Sequence, residues 1–148
     1  MRAFASFLMA ISLLGNGSVS LAAQGALYHR DVNENNPGGK DLVMTFEERS
    51  RDEKTSLAKV TYKSGHSVAS AMFITRGFYD IARIRNISHF IKLKEWEAED
   101  GGRMYLVGFS NAPKLSPAQY FGVKQPSDAS AFKFLAVKDF SEIFEGRK

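Results

Sequence analysis

The GHSVA turn at residues 65–69 comes closest to a catalytic motif in this sequence. It resembles a nucleophile elbow, in which a serine stands between a strand and a helix and is flanked by small residues. That hydrolase fold uses a larger parallel sheet and takes its histidine from a loop near the chain's end, whereas His89 falls on the next predicted strand. We therefore predict that Ser67 caps the following helix through its hydroxyl group. A small serine hydrolase, with Ser67 as its weak candidate nucleophile, is the alternative.

Neither the histidines nor the acidic residues follow a pattern typical of a metal site. His29, His66 and His89 are the only histidines, and they are not spaced as ligands. The chain has no cysteine, which excludes thiolate metal sites, disulfides and a cysteine nucleophile. The acidic residues within 95–100 fit the solvated end of a hairpin better than a catalytic carboxylate pair. The sequence thus predicts neither a metal nor a cofactor.

A long amphipathic helix is predicted over residues 68–85. With about 100° between successive residues, one half of its wheel collects most apolar side chains and is expected to face a sheet. That half contains Val68, Ala71, Met72, Ile74, Thr75, Phe78, Tyr79, Ile81 and Ala82. Phe73, Gly77 and Ile84 fall on the other half, although a mid-helix glycine costs about 1 kcal/mol relative to alanine. We interpret these three residues as a candidate partner-binding stripe, and the alternative is that a loop of the same chain covers them.

The elements around this helix predict a single α+β domain over residues 41–148. Apolar residues alternate with polar ones at Leu42, Met44 and Phe46, which indicates a strand with one buried face. Strands are predicted over residues 42–47, 57–63, 87–97, 103–110 and 132–137. One short helical turn is predicted at Ser116 and Pro117. The order ββαβββ favours a mainly antiparallel sheet of about five strands, with the long helix packed on one face.

The N-terminus has the pattern of a cleavable secretory signal peptide over residues 1–23. Arg2 precedes an apolar stretch of about 12 residues, the length of a signal-peptide core. A membrane-spanning helix needs about 20 residues, so no stable membrane insertion is expected after cleavage. Small residues around Ala22 and Ala23 suit the cleavage site. We expect a periplasmic or secreted protein, and residues 24–40, which are polar and rich in turn-formers, are expected to form a flexible tether.

The charge balance excludes a nucleic-acid footprint. The chain has 20 basic and 16 acidic residues, and no basic cluster is interleaved with aromatic residues. A secreted eukaryotic domain of this size often carries disulfides, so the lack of cysteine favours a bacterial periplasm. No nucleic-acid partner is expected, whereas a protein of the envelope or of the secreted fraction is a possible partner.

The stretch over about residues 60–93 resembles a group of small exported bacterial proteins. The features that carry this resemblance are the run VTYKSGHSVA from Val60, the helix with Arg76 near its middle, and the run NISHFI from Asn86. Proteins of this group are often lipid-anchored α/β domains of unknown function. The resemblance implies a fold and a compartment and no activity, and the absence of cysteine means that no lipid anchor carries over.

Together these features predict a small exported, non-catalytic domain that binds another protein or an envelope component. Binding predicts an exposed apolar surface. Catalysis by Ser67 predicts instead a pocket at the start of the long helix, in which a base meets the hydroxyl group.

Overall fold

A computed structural model describes residues 25–34, 42–64 and 68–146 of the chain. The predicted signal peptide and the turn that holds Ser67 lie outside these residues. The elements in chain order are β1 His29–Glu34, β2 Leu42–Arg51, β3 Thr55–Ser64, α1 Val68–Ile84, β4 His89–Glu97, β5 Arg103–Ser110, α2 Pro117–Phe121, β6 Leu135–Ala136 and α3 Val137–Glu145.

The strands form one antiparallel sheet in the order β1-β2-β3-β5-β4-β6, and α1 packs on its curled inner face. The α+β class and the mainly antiparallel sheet are therefore confirmed. The finer prediction is wrong in two respects, because the described residues contain six strands instead of about five, and a third helix besides the long helix and the short helical turn that were predicted. Of these three helices, none is long and apolar enough to span a membrane.

The additional strand, β1, lies inside the segment predicted to be a flexible tether, so that prediction is wrong for His29–Glu34. β1 pairs with β2 along its whole length. The preceding Tyr28 donates a hydrogen bond of 2.7 Å from its hydroxyl group to Asp80 of α1. An edge strand held by backbone bonds can keep polar side chains in solvent, so its composition matches that of a loop.

The centre of the core lies between β2, α1 and the strand pair β4–β5. Met44 and Phe46 point inward from β2 and are completely covered, as the alternating pattern predicts. Phe78 of α1 meets three aromatic rings edge-to-face, with centroid distances of 5.8 Å to Phe46, 6.5 Å to Phe90 and 5.6 Å to Tyr105. These contacts fix the position of α1 across the sheet.

The rotation of α1 about its own axis differs from the wheel-based prediction. Phe73 is only 7% exposed, and Gly77 is buried against the ring of Phe46. Val68, predicted to face the core, is 81% exposed, and Met72 is 37% exposed. The helical wheel predicted that the half with the most apolar side chains faces the sheet. In the structure Gly77 faces the ring of Phe46, because a residue with a side chain would not fit at that distance.

A buried ion pair closes the core near the C-terminal end of α1. The carboxylate of Glu48 accepts hydrogen bonds from Arg51 Nε at 2.8 Å, Ser56 Oγ at 2.6 Å and the Tyr28 backbone N–H at 2.9 Å. Arg85 also donates to Ser56 and to backbone carbonyls of the β2–β3 turn. Burial alone would raise the pKa of Glu48. The hydrogen bonds from Arg51, Ser56 and the Tyr28 backbone outweigh this effect and hold the pKa of Glu48 below its ordinary value.

The C-terminal region is more helical than the sequence indicates. Strand pairing is limited to Leu135–Ala136, and the predicted continuation of the strand is the start of α3. Phe144 of α3 packs on Tyr79, with their centroids 5.2 Å apart. The short helix at Ser116 is confirmed, and a reciprocal capping box between Ser116 and Gln119 stabilises it.

Candidate functional site

A groove of about 370 Å³ lies between α1 and β4, and we call it the α1–β4 groove. Its third wall comes from residues 131–135, the segment that leads into β6. β6 pairs with β4 only through Leu135 and Ala136. The space beside the remainder of β4 is therefore bounded by the helix and by this incoming segment.

The walls of the α1–β4 groove are mostly apolar. The apolar and aromatic residues that line it are Ala71, Ile74, Phe78, Phe90, Ile91, Tyr105, Ala131 and Leu135. Phe78, Phe90 and Tyr105 belong to the hydrophobic core, so the groove reaches down to packed core side chains. Concave sites with mainly apolar walls and a few polar groups are typical of ligand-binding sites.

Tyr105 places a neutral polar group at the buried end of the groove. The hydroxyl oxygen of Tyr105 lies 3.4 Å from that of Tyr62. Burial, together with this contact, raises the pKa of Tyr105 well above its ordinary value. The phenol therefore stays protonated at physiological pH and adds no charge to the apolar walls.

The rim of the groove is cationic. Lys92 and Glu95 form an ion pair of 2.5 Å, and Arg103 donates a second bond of 3.0 Å to the same carboxylate. Lys133, on the opposite wall, has no ion pair or hydrogen bond with any residue that the structure describes. The groove is thus lined by two lysines and by one carboxylate that already accepts from Lys92 and Arg103, and this arrangement favours an anionic group beside Lys133.

A second depression, of about 550 Å³, lies between α3 and the end of α1 and is more open to solvent. On its wall, Ser88 Oγ lies 2.8 Å from His89 Nδ1. Within the described residues, no carboxylate contacts the other ring nitrogen of His89, so the third member of a triad is missing there. The nearby Glu145 is already bound by Tyr79 and Arg83.

The residues singled out from the sequence do not come together in one site. Phe73 and Gly77 are buried, Gly77 against Phe46 of β2, whereas Ile84 is 55% exposed, so the three do not form the continuous outward stripe that the wheel predicts. Ser67 lies outside the described residues, so the cap and the nucleophile both remain predictions. A search of the described ranges finds no cluster of three residues that could hold a metal ion.

The α1–β4 groove is not among the features predicted from the sequence. Its walls come from α1, from β4 and β5, and from residues 131–135, which are far apart along the chain. Lys133 stands in a stretch that the sequence predicts to be an ordinary strand. No local pattern marks it as part of a concave surface, and only the way the chain meets β4 places it there.

No family model, curated protein or solved structure matches the chain. The resemblance over about residues 60–93 therefore provides no family assignment, and a functional proposal has to depend on the groove itself.

Proposed function

We propose that the protein is an exported, non-catalytic binding module that holds an apolar part of its ligand in the α1–β4 groove. The observation that supports this proposal is the apolar groove that reaches the core side chains Phe78, Phe90 and Tyr105 under a cationic rim. The ligand belongs to the envelope or to the secreted fraction, in keeping with the signal-peptide pattern of residues 1–23.

The energetics favour a ligand with both an apolar and an anionic part. Burial of apolar surface contributes about 25 cal/mol per Å², so a group that buries about 100 Å² gains about 2.5 kcal/mol. That gain alone supports only weak binding, since association also costs several kcal/mol of lost rigid-body freedom. An anionic group beside Lys133 adds to the affinity and fixes the orientation of the ligand.

Titration with anilinonaphthalene sulfonate tests this proposal, since this probe combines an apolar ring system with an anionic group. The wild-type protein is expected to enhance the fluorescence of the probe in a saturable manner. Ala71→Trp, which places a large side chain on the groove wall, is expected to abolish the saturable signal. Val68→Trp is the matched control, because Val68 lies on the same helix, is 81% exposed and does not line the groove.

Two results would contradict the proposal. One is the absence of saturable enhancement in a folded wild-type protein. The other is an equal loss of signal in the Ala71 and Val68 variants, which would place the probe elsewhere or indicate a general effect of the added tryptophan. Circular dichroism of each variant separates loss of binding from loss of the fold.

A further inference from the structure

The outer edge of β4 has free backbone positions beside the groove. One side of β4 pairs with β5 along the strand. On the other, outer side, within the described part of the chain, only His89 and Phe90 pair with another strand, so the positions from Ile91 to Glu97 have no strand partner there. An unpaired edge presents alternating N–H and C=O groups that can bond to another extended segment. This edge borders the α1–β4 groove, since Ile91, Lys92 and Glu95 line it.

The protein's own β6 shows how a strand sits on this edge. Leu135 pairs with Phe90, and the next residue, Ala136, pairs with His89. Leu135 lines the α1–β4 groove, whereas Ala136 lines the second depression instead. A strand bonded to β4 therefore places only some of its side chains in the groove, as the alternation of strand side chains requires.

Charge indicates which residues suit the other face of such a strand. Lys94 is exposed, does not line the groove and pairs with Leu106, whereas Lys92 lines the groove and pairs with Val107. Lys94 Nζ lies over the ring of Trp96, and Lys94 has no carboxylate partner among the described residues. On the face of an added strand that points away from the groove, the position beside Lys94 is therefore suited to an acidic side chain.

We propose that the ligand of the groove is an extended peptide segment that alternates apolar and acidic residues and adds to the free edge of β4. Its apolar side chains enter the α1–β4 groove, and its carboxylates lie on the opposite face beside Lys94. This mode of recognition combines backbone bonds, which provide affinity, with pockets for alternate side chains, which provide specificity. The inference rests on the proposed function, because it names the occupant of the same groove.

The same features also discourage indiscriminate pairing. Lysines on an edge strand and a bulge within it are common means of preventing sheets from joining edge to edge. The register of β4 against β5 shifts between Lys92 and Lys94, which marks such a bulge. A short acidic segment is compatible with these features, whereas a long apolar or basic strand is not.

Fluorescence anisotropy with labelled peptides of about eight residues tests the inference on the full chain. A peptide that alternates valine with glutamate is expected to bind saturably, and its valine–lysine counterpart about tenfold more weakly. Two further peptides carry N-methyl groups on every second amide. In one peptide the odd-numbered amides are methylated, and in the other the even-numbered amides are. Only the set that faces β4 is expected to abolish binding, because only those amides donate to the edge.

Charge reversal on the protein supplies the matched control. Lys94→Glu is expected to weaken binding of the valine–glutamate peptide by about threefold to fivefold and to strengthen binding of the valine–lysine peptide. Lys63→Glu makes the same change of charge on an exposed residue of β3 and is expected to leave both peptides unaffected. Equal effects of the two variants, or binding that neither N-methylated register abolishes, would overturn strand addition.

The outcomes of the two experiments separate the two proposals. Saturable binding of anilinonaphthalene sulfonate that depends on Ala71, without binding of the glutamate peptide, would leave the groove as a binding site and overturn the peptide as its occupant. Failure of both probes would overturn both proposals.

Discussion

Phe46 and Gly77 approach so closely that a β-carbon on residue 77 would lie 2.4 Å from Cε2 of the Phe46 ring. The ring has little freedom to move aside, since it is fully buried and packs edge-to-face on Tyr28 and Phe78, at 5.6 Å and 5.8 Å. The mid-helix glycine thus allows α1 to lie close to β2. It is part of the core and does not belong to a partner-binding surface.

Replacing Gly77 with alanine is therefore expected to destabilise the fold, although alanine is the better helix former. Helix propensity favours the variant by about 1 kcal/mol. Overpacking a closed core costs about 1–3 kcal/mol and is expected to prevail. Urea denaturation should show a lower midpoint for Gly77→Ala, whereas Ile84→Ala, at an exposed site, should stay within about 0.5 kcal/mol of wild type. A midpoint for Gly77→Ala above that of wild type would refute the close packing.

The buried Glu48 is expected to make stability depend on pH in the acid range. Its pKa is lower in the folded protein than the ordinary value of 4.5 expected for the unfolded chain. The carboxylate therefore stabilises the fold at pH values above about 4.5, and this contribution is lost as the pH falls through the lower folded pKa. Thermal melts between pH 7 and pH 3 should show a progressive loss of stability below about pH 5.

Glu48→Gln separates this contribution from that of other carboxylates. At neutral pH the variant is expected to lose about 3–5 kcal/mol, because the buried charge of Arg51 loses the opposite charge of Glu48. Its stability should fall less steeply with acid than that of wild type, since the surface carboxylates titrate equally in both proteins. If the stability of the variant and that of wild type fall equally with pH, Glu48 is not responsible for the loss of stability in acid.

Export is expected from the pattern of residues 1–23. The intact mass of the protein recovered from a producing cell should correspond to a chain that begins near Ala23 or Gln24. A mature protein that retains Met1 would contradict export by cleavage and would remove the argument for a ligand of the envelope.

The sequence predicts those strands and helices in which the spacing of apolar residues follows from one face being buried. The alternation at Leu42, Met44 and Phe46 correctly identifies both the strand β2 and its buried face. The helix α1 is also found, with bounds that agree to within one residue at Val68–Ile84. In both segments one face contacts the core, so the periodicity of the sequence identifies the type of element and its extent.

The rotation of α1 and the α1–β4 groove could not be predicted in this way. The face of α1 is set by Phe46, a residue of another strand, and a helix wheel contains no information on such a neighbour. The groove likewise depends on β6 pairing with β4 through Leu135 and Ala136 alone, a short contact that no local pattern in residues 132–137 reveals. β1 was missed because an edge strand needs backbone bonds more than apolar side chains.

Methyl NMR during a titration with anilinonaphthalene sulfonate tests the binding proposal most directly, because it locates the bound probe. The methyl signals of Ile74 and Leu135, on opposite walls of the α1–β4 groove, are expected to shift together along one saturation curve. Those of Val32 and Leu42, which line a separate depression, should stay in place. Shifts at Val32 and Leu42 with none at Ile74 and Leu135 would contradict the groove as the binding site.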